Sequence, residues 1–150
     1  MEKSIQQLQS IISSYAGRLN NLTENEWLDK PDPAKWSKKE VLGHLIDSAQ
    51  NNIRRFVVAQ YEHQPKIIYA QDNWVASANY QNYITADLIN LWQLLNKHMC
   101  IILENVPGDA SQKICDAGEM RSIEWLAEDY NKHLLHHLHQ LLNIEPVLYP

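Results

Sequence analysis

Cysteine, glycine and phenylalanine are scarce in this chain, at two, four and one among 150 residues. Two thiols, Cys100 and Cys115, cannot build a disulfide framework, so a reduced, cytoplasmic protein is expected. None of the glycines forms an Asn-Gly or Asp-Gly pair between alternating strands, so no hairpin is expected. Long apolar runs are missing as well. The longest, Met99–Leu103, has five residues, against the ~20 that span a bilayer. Met1–Ser10 lacks the apolar stretch of a secretory signal, and no membrane association is expected. Nor is there a basic cluster, since 13 Lys and Arg stand against 18 Asp and Glu for a net charge of −5. A nucleic-acid binder concentrates Lys and Arg to neutralise phosphates, and that class is excluded.

What is present is globular: 45% hydrophobic and 21% charged residues, in a length that suits one domain over 1–150. Proline breaks a helix interior at a cost of ~3 kcal/mol. The stretches between Pro33, Pro65, Pro107 and Pro146 are therefore where helices can run. Ile5, Leu8, Ile12, Tyr15 and Leu19 recur at steps of three and four, which predicts a helix over Lys3–Leu22. Ser37-Lys38-Lys39-Glu40 reads as a capping box opening a second helix to about Gln60. A long irregular connection is expected over Tyr61–Ile84. Thr85 is expected to cap a third helix through Asn105, with Leu88, Leu91, Trp92, Leu95, Met99 and Ile102 on its apolar face. A brief extended turn around Asp116-Ala117-Gly118, short of a hairpin, precedes Ser122, which caps a fourth helix over Ile123–Asn143 with Glu124 in its first turn. The fold class is all-α, a four-helix bundle with long crossover connections.

Seven histidines occur, four of them within His133–His139. Leu126, Tyr130, His133, His137 and Leu141 share one helical face, and His133 with His137 forms a chelating i,i+4 pair. Helical histidines are also common as solvated residues, so the pair alone leaves both readings open. His44 lies at a core position of the second helix beside Val41, Leu45 and Ser48. It is either a third ligand or a buried imidazole bonded to a backbone carbonyl or to Asp47.

The segment Trp36-Ser37-Lys38-Lys39-Glu40-Val41-Leu42-Gly43-His44-Leu45-Ile46-Asp47-Ser48 resembles the second-helix motif of the DinB/YfiT-like superfamily. Arg55-Phe56, the Gln64–Tyr69 stretch and Trp74 resemble its YfiT-like branch. Glu128–Gln140 resembles the family's last-helix motif, with ligands at HxxxH. The similarity covers roughly Trp36–Asn143. It implies a four-helix bundle carrying one divalent metal on His44, His133 and His137, often in a homodimer acting on a small-molecule substrate. It also implies a metalloenzyme, either a transferase that uses a low-molecular-weight thiol such as bacillithiol, mycothiol or glutathione, or a hydrolase.

Three neutral nitrogen ligands leave a divalent ion with open positions, the mark of a catalytic site. Such an ion lowers the pKa of a water or deprotonates a thiol. Imidazole suits zinc or nickel first, with iron or manganese as further options. No catalytic acid or base stands out. Asp47 is either a partner that orients a ligand imidazole or a plain surface carboxylate. Gln140, Ser48 and Tyr130 are pocket candidates, with a core role the rival for Tyr130. Arg55 either binds a substrate carboxylate through its planar fork or makes a helix-surface salt bridge. Trp74 either caps the metal pocket or plugs the core, and the Tyr61–Ile84 connection is the expected wall for the organic part of a substrate. The rival to a metalloenzyme is a noncatalytic, metal-stabilised bundle serving as an interaction module. A fourth protein ligand would mark that case.

Overall fold

The computed structural model describes residues 1–150. Its elements in chain order are α1 (Glu2–Asn20), α2 (Glu24–Leu28), α3 (Lys38–Val58), α4 (Gln71–Ala78), a 3₁₀ turn (Tyr80–Asn82), α5 (Thr85–Glu104), a second 3₁₀ turn (Ala110–Gln112), β1 (Ile114–Asp116), β2 (Met120–Ser122) and α6 (Ile123–Leu142). The four long helices form the bundle. Helix α3 packs against α5 and α6, and α1 packs against the same two, so α1 and α3 occupy opposite corners. Two of the three pairs of sequence neighbours among the long helices, α1 with α3 and α5 with α6, are thus diagonal, so those two links cross an end of the bundle, whereas α3 and α5 pack side by side. One continuous core of 30 buried residues runs through it, including Leu8, Leu45, Phe56, Trp92, Met99, Leu134 and Leu138. No helix is long and apolar enough to cross a membrane.

Local chemistry sets the helix starts. The Ser37 hydroxyl accepts from the Glu40 amide at 3.1 Å while the Glu40 carboxylate accepts from the Ser37 amide at 2.7 Å. Ser122 accepts from the Trp125 amide at 3.1 Å and begins the helix that carries the histidines. Each such cap is worth ~1 kcal/mol. Left-handed Asn143 ends that helix, and segment 144–150 turns back along it.

Several expectations are corrected. Thr85 is not a cap. It is the first residue of α5, with Ile84 at the cap position, and its hydroxyl bonds the Glu24 carboxylate at 2.5 Å. The buried stripe of α5 runs through Leu88, Ile89, Trp92, Asn96, Met99, Cys100 and Leu103, leaving Leu91 40% exposed. The Tyr61–Ile84 connection is not irregular throughout, because α4 and a 3₁₀ turn occupy its second half. A second capping box, Thr23 with Glu26, starts the short helix α2, which sequence periodicity over five residues could not show.

A hairpin does form. Strands β1 and β2 pair antiparallel, Cys115 opposite Arg121, around a turn in which Gly118 takes φ +109°, a conformation open to glycine without a Cβ clash. The hairpin is held from outside as well. The Asp116 amide donates to the Pro65 carbonyl at 2.9 Å and the Ile67 amide to the Asp116 carbonyl at 2.8 Å. Cys115, on β1, is buried, its Sγ donates to the Pro65 carbonyl at 3.3 Å, and burial raises its pKa.

Candidate metal centre

Helix α3 delivers His44 and helix α6 delivers His133 and His137. One ring nitrogen from each lies within 4.8 Å of the other two. The Nε2 atoms of His44 and His133 are 3.0 Å apart. Ring centroids stand 4.9 Å apart for His44 and His137, and 4.6 Å for His133 and His137, with each pair edge to face. The i,i+4 spacing on α6 supplies one pair, and the packing of α3 against α6 supplies the third ring.

The surroundings keep these rings neutral. Burial, with the charge of His137, brings His44 down to about 4. Burial also pushes His133 well below the ordinary imidazole value, helped by the neighbouring histidines and by the charge of Arg55. His137 is lowered by burial, against an opposing bond to Gln140. Neutral imidazole is the form that ligates a metal. The His137 Nδ1 lies 3.0 Å from Gln140 Oε1. Since a carboxamide oxygen only accepts, this Nδ1 carries the proton and Nε2 holds the free lone pair. His44 Nδ1 is buried without a partner, and the Trp36 ring lies against that imidazole at 5.0 Å.

Three uncharged nitrogen donors converging from two rigid helices fit a borderline divalent ion. His136 and His139 are engaged elsewhere, with Nδ1 donating to the Val147 carbonyl at 2.7 Å and to the Glu145 carbonyl at 2.6 Å respectively. The Tyr15 hydroxyl bonds His139 Nε2 at 2.5 Å.

His133 and His137 form part of the wall of a cavity of about 620 Å³, which Ser48, Arg55 and Tyr130 also line. Tyr130 is chiefly a core residue. It is buried, and its hydroxyl donates to Asn96 across the bundle at 2.6 Å. The connection contributes Ile68, Tyr69 and Gln71 to the wall, and the hairpin turn contributes Ala117 through Glu119.

Three readings of single residues change. Asp47 is neither a surface carboxylate nor bonded to a ligand imidazole. It is 2% exposed, its Oδ1 accepts from the Tyr80 hydroxyl, and its Oδ2 has no partner. The approach that allows this is specific, since a Cβ on Gly43 would sit 2.0 Å from the Tyr80 ring. Trp74 neither caps the histidine cavity nor plugs the core. It is 39% exposed and packs edge to face on Tyr69 at 5.6 Å. Arg55 makes no surface salt bridge, because it is buried and no carboxylate lies within 4 Å of it.

One residue at the site gave no sequence signal. Tyr149, beyond α6, packs edge to face on His133 at 5.3 Å and donates its hydroxyl to Asp129 at 2.8 Å. A tyrosine seven residues after a helix has no periodicity to place it.

Comparison with known proteins agrees with this architecture. The family model of the DinB superfamily matches residues 7–141. No curated protein matches the chain. Among solved structures, YfiT from Bacillus subtilis, described as "a probable metal-dependent hydrolase with an unusual four-helix bundle topology", is similar with a TM-score of 0.84. That match has 20% identity over 95% of this chain and 83% of that one. An H-to-A mutant of the mycothiol-dependent maleylpyruvate isomerase is similar with a TM-score of 0.79 at 12% identity, over 97% of this chain. The isomerase without that mutation gives 0.75 at 12% identity, over 93%. This chain spans 61% and 60% of those two chains. At such identities the likeness concerns the fold.

Proposed function

The chain belongs to the DinB superfamily, and we propose that it is a metalloenzyme in which His44, His133 and His137 hold one divalent ion, zinc or nickel foremost, beside a substrate cavity. The observation that carries this reading is the convergence of three neutral imidazoles, two of which, His133 and His137, form part of the wall of that cavity. Such an ion, when bound, supplies Lewis acidity that makes a thiol or a water nucleophilic near neutral pH.

This chain's own residues do the rest. Burial holds the three rings deprotonated, and Gln140 fixes the tautomer of His137. Tyr149 covers one face of His133 and restricts water there. A noncatalytic bundle would close the ion with a fourth protein donor, whereas the cluster has three. That difference favours an enzyme.

Between the two chemistries, the thiol-transfer reading draws on the mycothiol-dependent isomerase neighbours and the hydrolase reading on YfiT. A site with only neutral ligands leaves the +2 charge uncompensated and so favours an anion, thiolate or hydroxide, at the open position; we put transfer to a low-molecular-weight thiol first. The proposal includes a small-molecule substrate, a reduced cytoplasmic setting and a homodimer, the last of which a single-chain mass in light scattering would remove.

The deciding experiment has two parts. Metal analysis of protein purified without a His-tag should give one divalent ion per chain. Metal-loaded protein should then accelerate conjugation of bacillithiol, mycothiol, glutathione or cysteine to simple electrophiles, and His44→Ala should not. Ester or amide hydrolysis without thiol turnover would reverse the order of the two chemistries. Absence of bound metal at any loading would end both.

A further inference from the structure

Arg55 lies on the same stripe of α3 as His44, at positions 44, 48, 52 and 55, where steps of three and four share a face. It is 8% exposed, and it lines the cavity that His133 and His137 also wall. Its Nε and Nη2 donate to the Ile67 carbonyl at 3.1 and 3.0 Å, and its Nη1 donates to Asn52 Oδ1 at 3.3 Å. Both acceptors are neutral. A guanidinium has five N–H groups, so each terminal nitrogen keeps one N–H without a protein partner.

A buried cation is ordinarily compensated by a buried anion, because desolvation of a lone charge is expensive. Arg55 has no such partner within 4 Å. Of the two side-chain carboxylates that line the same cavity, Glu119 pairs with Arg121, and Asp129, which accepts the Tyr149 hydroxyl at 2.8 Å, supports the Arg55 charge only from beyond contact distance. Clamping the Ile67 carbonyl explains why a long donor sits here. It does not explain a permanent charge, since a neutral amide side chain could donate to the same oxygen. The Tyr69 ring, centred 6.0 Å from the guanidinium carbon, supplies an aromatic wall beside it.

We propose that Arg55 anchors an anion subsite, and that the molecule acted on beside the three histidines carries a carboxylate received by the two free N–H groups of Arg55. This names the substrate class for the site proposed above and to that extent rests on that reading. A planar fork facing two carboxylate oxygens is the pairing that favours arginine over lysine. It also sets the carboxylate apart from the reacting end of the molecule, because Arg55 lies about three helical turns beyond His44 on α3.

The test is an NMR titration of isotope-labelled, metal-free protein with acetate, succinate and benzoate, each against its neutral amide, following the arginine side-chain N–H signals. Working without metal prevents a carboxylate from binding an ion instead. Saturable binding of at least one acid is expected, with shifts in the Arg55 signals and markedly weaker binding of the matching amide. Arg55→Lys and Arg55→Gln should weaken the acid about ten- to a hundredfold, as expected for loss of charge-assisted hydrogen bonds. Zinc stoichiometry should be the same in wild type and both variants. Equal affinity in wild type and variants, an amide that binds as tightly as its acid, or no saturable binding of any acid would overturn the subsite. If Arg55→Gln fails to fold, Arg55→Lys and the acid–amide comparison on wild type decide. A wild type that binds acids through Arg55 but no zinc supports the subsite and removes the metal reading instead.

Discussion

The Nε2 atoms of His44 and His133 face each other at 3.0 Å from two different helices, 89 positions apart in the chain. Ligand nitrogens around a tetrahedral ion with bonds of ~2.1 Å stand about 3.4 Å apart. A small outward adjustment of the rings would therefore admit an ion, without any movement of the helix axes.

Removing a ligand should remove the metal's grip on stability. An ion that binds only the folded chain stabilises it by about 2.7 kcal/mol at a hundredfold excess over its Kd, or roughly 5–10 °C in Tm for a domain of this size. His133→Ala and His137→Ala should lose that zinc-dependent shift, while His139→Ala, whose ring is bonded to Tyr15 and the Glu145 carbonyl, should keep it. Thermal melts with and without zinc check this, and equal shifts in His133→Ala and His139→Ala would sink the ligand assignment.

Asp47 gives a pH dependence of definite sign. Burial lifts its carboxyl from the ordinary 3.8 to about 6, against the opposing bond from Tyr80. A raised folded-state value means that the folded chain holds this proton more tightly than the unfolded one. Its contribution is fully present below about pH 4 and is lost as pH rises through about 6. Asp47→Asn cannot ionise, so its stability relative to wild type should improve across that window. Urea unfolding of both proteins at pH 4, 5, 6 and 7 measures the difference, and a flat difference would show that Asp47 ionises as it does in water.

Gly43→Ala should be costly even though alanine is the better helix former. The new Cβ would fall 2.0 Å from the Tyr80 ring, so Tyr80 must leave Asp47 or α3 must shift. A loss of about 1–3 kcal/mol is expected from overpacking of this kind. Adding Tyr80→Ala should cancel part of the loss, which a double-mutant cycle by chemical denaturation would show.

Tyr149→Ala should open the histidine face without unfolding the bundle. The side chain is only half-buried, and segment 144–150 adds little to the core. Stability should fall by about 1 kcal/mol or less, while a chelator should strip zinc faster than from wild type. Tyr149→Phe keeps the ring on His133 and loses only the bond to Asp129, so its zinc release should lie closer to wild type. Stopped-flow chelation on the three proteins separates shielding by the ring from anchoring by the hydroxyl.

The amino-acid order alone was enough for whatever a single helix turn decides. The capping serines at 37 and 122, the long helices and the pairing of His133 with His137 all follow from steps of three and four along one continuous segment. His44 was reached differently, through the resemblance of its motif to a family. The hairpin escaped because its turn has no Asn-Gly or Asp-Gly pair and its strands have three residues each, too short for alternation to show. Tertiary structure alone decided the partners of Asp47, the exposure of Trp74, the lack of a carboxylate in contact with Arg55 and the place of Tyr149. Each of these depends on which distant segment a side chain meets, such as Tyr80 on Asp47 or the Ile67 carbonyl on Arg55. Local periodicity orients a side chain on its own helix, but only the packing of several elements together decides what lies opposite it.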